Sequence, residues 1–262
     1  MTGSEKKISS IVIAKNEERN ILRCLESQSS CIDDIVVIID DSTTDNTVNI
    51  VKSFGKVNFE IVKWRGFSDT KKYALSKTKY DWVFWIDADE EITNELAREL
   101  VEFKKNPTKA DAYSVARRAF FLGKWIKHSG WYPNRVTRLF NKYKAHFSVK
   151  NVHEHLVVDG KTGKLLNDLN HYTDPDIYHY FEKFNNYTTL AAQELTAQNK
   201  KAKLLDIILR PLFLFVKMYI FKLGFLDGIQ GFILAVFSAA YVFTKYSKIW
   251  EIHNVQNKVG SK

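Results

Sequence analysis

Short apolar runs that break off into clustered acids constrain the fold of this chain more than any other feature. Asp34-Ile35-Val36-Val37-Ile38-Ile39 runs into Asp40 and Asp41, and Trp82-Val83-Phe84-Trp85-Ile86 runs into Asp87, Asp89, Glu90 and Glu91. Trp82–Ile86 has the length and apolarity of a strand buried on both faces, as in a sheet covered by helices, and Ile8–Ile13, Asp34–Ile39 and Asn58–Val62 read as strands beside it. Helices are predicted between them, near Asn16–Ser27, Thr47–Phe54 and Ser68–Lys77, with Asn16 as the first N-cap. Such alternation with right-handed crossovers predicts a parallel sheet, whose ligands sit beyond the carboxyl ends of its strands. The acidic clusters fall at those ends.

Like charges crowded together repel, so a positive partner is expected beside them. Asp87 and Asp89 suit a hard divalent cation such as magnesium, which takes one or two protein carboxylates and completes its shell with water and phosphate oxygens. Such an ion would position a diphosphate and neutralise its charge as it leaves. Glu90, Glu91 and Glu95 also read as charges favourable to the first turn of a helix beginning near Thr93. Asp45 likewise reads either as part of a site or as a cap for the helix near Thr47.

These segments carry a family resemblance. Ile11-Val12-Ile13-Ala14-Lys15-Asn16-Glu17-Glu18, Ile39-Asp40-Asp41-Ser42, Lys71-Lys72-Tyr73-Ala74-Leu75 and Asp87-Ala88-Asp89-Glu90 occur in an order that resembles family-2 glycosyltransferases of the GT-A fold. The resemblance implies an inverting transferase that uses a nucleotide-sugar donor, with a UDP-sugar expected, and a divalent metal, Mg2+ or Mn2+. It implies that Ala14, Glu17 and Asp41 line the base pocket, that Asp87 lies near ribose and diphosphate, that Asp89 ligates the metal, and that Lys71 lies beside the donor phosphates or sugar. Ser42 stands where Gly is common, and Lys72 where Asn is.

From Ala112 to about Tyr172 shorter strands with aromatics, Arg and His predict an α+β acceptor half. In Asn151-Val152-His153-Glu154-His155, an extended backbone would put His153 and His155 on one face and Glu154 on the other. The resemblance makes Glu154 the catalytic base, following the metal motif in order, with His153 or His155 reaching the metal or diphosphate. Five of seven histidines fall between His128 and His171, yet their spacing matches no zinc motif. Packed or surface histidines are the plainer alternative. Gly130-Trp131-Tyr132-Pro133 with Arg138-Leu139-Phe140 resembles a subgroup acting on the inner core of bacterial lipopolysaccharide. It makes Trp131, Tyr132 and Arg138 candidate acceptor contacts, against ordinary core packing for each.

The net charge of +9 is uneven: from Lys200 onward ten Lys and Arg face three acids. These charges flank the most apolar part of the chain, which favours an anionic membrane surface over a nucleic acid. Ile229–Phe243 lacks charge but is short of the roughly 20 residues of a spanning helix. The expectation is two helices lying in the cytoplasmic leaflet, with Lys245 and Lys248 at the headgroups; a hairpin packed on the catalytic domain is the alternative. The resemblance extends through Gly224-Phe225-Leu226-Asp227-Gly228. Only two cysteines and a start without an apolar signal core point to a reducing compartment.

The fold expected is therefore α/β: a GT-A, Rossmann-like, mostly parallel sheet in residues 1–110, an acceptor half in 111–199, and a helical membrane-associating appendage in 200–262. The function expected is hexosyl transfer to a lipid-linked saccharide at the cytoplasmic face of the bacterial inner membrane. A nucleotidyltransferase, which lacks a glycine-rich phosphate loop here, and a non-enzymatic membrane-bound binding module are the alternatives.

Overall fold

The computed structural model describes residues 5–106, 109–148 and 156–256. In these, β1 (Ile8–Ala14), β2 (Asp34–Asp40), β3 (Asn58–Val62) and β4 (Trp82–Trp85) alternate with α1 (Ile21–Gln28), α2 (Thr47–Phe54) and α3 (Phe67–Ser76). Strands β3-β2-β1-β4 are neighbours in that order and pair in parallel. Every residue of β2 is buried, and the two apolar clusters explain why. Val12, Val37, Ile39 and Phe84 join one cluster, while Ile11, Val36, Ile38 and Val83 join another, as the two-residue period of a strand requires.

Beyond β4 the sheet turns antiparallel. It continues through β8 (Asn134–Asn141), β6 (Ala112–Phe121), β11 (Thr162–Asp174) and β5 (Glu90–Ile92), with β7 (Lys124–Trp125) on β6. A separate ribbon joins β9 (Ala145–Phe147) to β10 (Leu156–Val158). The parallel character expected of the sheet thus belongs to its first four strands.

Two local readings are corrected. Asn16 does not cap α1: it sits in the left-handed region at φ 53°, and its Oδ1 accepts from Thr44 N over 2.8 Å. The helix begins five residues later. Glu90 and Glu91 are in β5 rather than in a first helical turn; α4 (Asn94–Lys105) starts after Thr93, whose hydroxyl accepts from Leu96 N.

The chain divides into two compact units, Met1–Arg118 with Asn134–His171, and Ala119–Pro133 with Tyr172–Lys262. The second contains α5 (Ile177–Ala197), α6 (Leu204–Val216) and α7 (Gly228–Glu251). Phe121, Ile126, Met218, Leu234 and Ala235 form its core. A π-helical turn, Lys217–Phe221, and a 3-10 turn, Gly224–Asp227, join α6 to α7. Gly231 packs so closely that a Cβ there would stand 2.0 Å from Gly224 O.

Helix α7 runs well past the charge-free stretch, and the half-exposed Lys248 in its last turns reaches across to α5. Its ammonium donates to Asn185 O and Oδ1 and to the hydroxyls of Thr188 and Thr189 on α5, at 2.7–3.1 Å. Gly224–Val255 is long and apolar enough to cross a membrane by length and composition alone. Leu205, Leu209, Phe213, Phe221, Phe225 and Ile229 are exposed on this unit.

Candidate functional site

The carboxyl ends of β1, β2 and β4 bring the acidic clusters into one unit. At β2 the two aspartates separate in role. Asp40 is buried, accepts from Ser42 N at 2.8 Å and Ser42 Oγ at 2.6 Å, and pairs with Lys15 at 3.5 Å. Burial pushes its carboxyl up, but the Ser42 bonds and Lys15 prevail and hold it below its ordinary value. Asp41 is exposed, its N–H bonded to Val62 O. Ser42 therefore closes an Asp-Ser turn with its own hydroxyl, where glycine would supply none.

Ala14, buried at the end of β1, is in register with Ile39, so the β1 and β2 ends adjoin. Glu17 N donates to Thr47 Oγ1 at 2.7 Å and Glu17 Oε2 accepts from Asn20 at 2.9 Å. Asp45 Oδ1 accepts from Thr47 N and Oγ1, at 3.0 and 2.6 Å, and its Oδ2 accepts from Glu18 N at 2.9 Å. Burial would raise this carboxyl, yet the bonds led by Thr47 hold it below its usual value. Asp45 fastens the start of α2 to the loop after β1.

At β4 the crowded acids have their cations. Arg138, on β8 and 2 % exposed, donates through Nη2 to Asp87 Oδ2 and to Glu90 Oε1, each at 2.5 Å. Arg117 on β6 adds a second contact to Glu90 at 3.6 Å. Asp87 Oδ1 accepts from Trp85 Nε1 at 3.0 Å, and Asp87 N donates to Glu90 Oε2 at 3.0 Å. The indole of Trp85 also carries two cations, Lys71 Nζ 3.9 Å and Arg138 Cζ 4.4 Å from ring centroids. Burial raises the Asp87 carboxyl, but Arg138 and then Lys71 outweigh it and bring it to about 2. At Glu90, 1 % exposed, burial prevails over Arg138 and raises the carboxyl. One carboxylate is thus kept firmly anionic beside one that is costly to ionise.

Asp89 Oδ2 lies 3.4 Å from His171 Nε2, where β11 pairs with β5 in the register His171↔Glu90. Both side chains are only partly exposed. Among the described residues no three His, Cys, Asp or Glu side chains gather as a metal cage. A carboxylate with one imidazole still fits a divalent ion that draws its other oxygens from phosphate and water. A cavity of ≈ 280 Å³ lies beside Asp87 and Arg138, lined also by Trp85, Arg117 and Thr137.

Asp87, Asp89, Lys71 and Arg138 therefore gather in the first unit, with Ala14, Glu17 and Asp41 on the neighbouring strand ends. Trp131 and Tyr132 belong to the second unit, where Trp131 packs on Phe121 and Tyr132 on Trp125. His153, Glu154 and His155 lie outside the described residues. Arg117 and His171 were not singled out from sequence, and Glu90 was read only as a motif residue or a helix-favouring charge. Their signal was the unexplained surplus of negative charge after Ile86.

Residues 9–163 match the family described as Glycosyl transferase family 2. The lipopolysaccharide core biosynthesis glycosyltransferase LpsC of Rhizobium meliloti is 29% identical over 252 residues, covering 94% of this chain and 93% of that protein. The uncharacterized glycosyltransferase RP128 of Rickettsia prowazekii is 31% identical over 258 residues, covering 94% and 88%. Among solved structures, the mannosyltransferase PcManGT of Pyrobaculum calidifontis, in complex with GDP-Man and Mn2+, is similar in fold. Its TM-score is 0.54 at 12% identity, covering 93% of this chain and 86% of that one.

Proposed function

The chain belongs to glycosyl transferase family 2 and has the GT-A fold, and from that premise we propose that it moves a hexosyl group from a nucleotide diphosphate sugar to a lipid-linked saccharide of the bacterial envelope. Lipopolysaccharide core is the acceptor class, supported by the similarity to LpsC along nearly the whole of both chains. A UDP-sugar is the proposed donor. With the family shown, sugar transfer takes precedence over the nucleotidyltransferase and binding-module alternatives.

The arrangement around Asp87 carries this reading. A carboxyl held at about 2 is a poor base, since general bases work best near the operating pH. It is a permanent hydrogen-bond acceptor, fixed by Arg138 and Trp85, suited to the ribose hydroxyls of a bound nucleotide. Ala14, Glu17 and Asp41 are assigned to the base, and Lys71 to the donor phosphates or sugar. Asp89 and His171 would hold the divalent metal, Mg2+ or Mn2+, which would neutralise charge on the departing diphosphate. His153 and His155 are further candidates for that role.

In the proposed transfer the acceptor oxygen attacks the anomeric carbon as the bond to the diphosphate oxygen breaks, inverting the centre. Glu154 takes the acceptor proton, and the leaving diphosphate keeps the electron pair. Trp131 and Tyr132 are assigned to acceptor sugar rings, and the exposed apolar side chains of α6 and α7 to the cytoplasmic membrane surface.

The test is a panel of nucleotide sugars with truncated lipopolysaccharide acceptors, with Mg2+, Mn2+ or chelator. Metal-dependent release of nucleoside diphosphate, with sugar appearing on the lipid-linked acceptor, is the expected result. Sugar transfer only to soluble acceptors would overturn the acceptor assignment, and undiminished transfer in chelator the metal assignment.

A further inference from the structure

The second unit holds an open cavity of ≈ 470 Å³, with Trp131 on its wall. Leu214, Met218 and Val242 line it, together with Lys217, Lys222 and Ser129. The lysines stand one wide π-helical turn apart, Lys222 N bonding Lys217 O over 2.8 Å. Among the described residues neither ammonium makes an ion pair, and no acidic side chain lines the cavity. Ser129 is 4 % exposed, and its hydroxyl is buried without a hydrogen-bond partner. That hydroxyl belongs to the packed wall of the cavity and not to its open face.

The wall is built to hold that hydroxyl in place. Ser129 sits at φ 59°, and its N–H donates to Lys222 O at 2.9 Å. Gly224 closes against it, since a Cβ there would fall 2.6 Å from Ser129 Oγ. The residues just before Ser129 are gripped by the buried Asp227 carboxylate, which accepts from Lys127 N at 3.2 Å and His128 N at 2.9 Å and meets His128 Nδ1 at 2.9 Å. The Gly-Phe-Leu-Asp-Gly segment is thus the clamp of this cavity.

Two cations beside an apolar wall are complementary to an anionic head on an acyl chain, a combination neither a free anion nor a neutral lipid provides. We propose that this cavity binds an anionic glycerophospholipid. Lys217 and Lys222 hold its phosphate, and Leu214, Met218 and Val242 take an acyl chain. The apolar side chains exposed on the same unit, Phe213, Phe221 and Phe225 among them, suit the surrounding lipid. Trp131, assigned above to the acceptor, lines the same cavity, but the lipid site rests on the two lysines and the apolar wall and not on the donor or acceptor assignment.

Calorimetric titration of the full chain with dihexanoyl phosphatidic acid, dihexanoyl phosphatidylcholine and inorganic phosphate tests this. Phosphatidic acid should bind more tightly than either of the others. Lys217→Gln with Lys222→Gln should weaken it by about tenfold or more, as expected for lost charge-assisted bonds, while Lys200→Gln with Lys201→Gln should not. Val242→Trp, which fills the apolar part and leaves the cations, should weaken phosphatidic acid but not phosphate. Equal loss in the two lysine pairs would reveal diffuse electrostatic attraction and overturn the site. So would phosphate binding as tightly as the lipid, or phosphatidic acid indifferent to Val242→Trp.

Discussion

Arg138 donates to Asp87 over 2.5 Å from the far side of an antiparallel pairing, where β8 lies against β4 in the register Val83↔Phe140. The same guanidinium holds Glu90, so one buried cation offsets two acids whose backbones are hydrogen-bonded to each other. Arg138→Met should leave Asp87 and Glu90 without their shared guanidinium, with only Arg117 3.6 Å from Glu90, and destabilise the protein by about 3 kcal/mol, the low end of the usual cost of breaking a buried ion pair from one side. Adding Glu90→Gln should restore part of the loss. Chemical denaturation of the single and double variants measures both, and a single variant as stable as the parent would refute the pairing.

How much of this was legible beforehand divides by sequence distance. The parallel strands and their acidic ends were readable because an apolar run and its polar stop are local features. So was the demand for a positive partner near Asp87. Its identity was not, because Arg138 reaches Asp87 only through the β4–β8 register, 51 residues away. His171 escaped for the same reason, since β11 brings it to Asp89 through its pairing with β5. Asn16 was misread locally: Asn suits an N-cap, but it also tolerates the left-handed conformation better than most residues, and here it does the latter. The bonds of Lys248 to four oxygens of α5 were not legible either, since they depend on how α5 and α7 pack.

Asp89 and His171 should act together in holding the metal. Asp89→Ala is expected to abolish metal-dependent donor binding with the fold intact, and His171→Ala to weaken it. Mn2+ titrations of donor affinity read both. If His171→Ala leaves the metal dependence unchanged while His153→Ala or His155→Ala removes it, the imidazole ligand comes from the latter segment.

Asp45 should matter for stability and not for donor affinity. Its carboxylate replaces a helix cap at α2 and ties Glu18 N, so Asp45→Ala should cost about 1–2 kcal/mol at neutral pH. The folded carboxyl titrates below its unfolded value. Its contribution is therefore full above about pH 4 and fades as the pH falls through the lower, folded value. Parent and variant should converge in stability in acid. Donor affinity that drops with unchanged stability would instead place Asp45 in the base pocket.

Glu154 is assigned the proton, and its test separates chemistry from binding. A base acts on the acceptor hydroxyl, so its loss should leave donor affinity alone. Glu154→Gln preserves shape and most hydrogen bonding but cannot accept a proton. Transfer should fall by about 10²–10⁴-fold with donor Kd nearly unchanged. Asp87→Asn gives the contrasting pattern, because the group it removes is an anion held at about 2 and not a base: donor affinity should suffer at every pH. The informative reversal is Glu154→Gln with near-normal turnover and a histidine variant, His153→Ala or His155→Ala, with turnover lost and donor affinity intact. That result would move the base to an imidazole and turn the other face of the segment toward the acceptor.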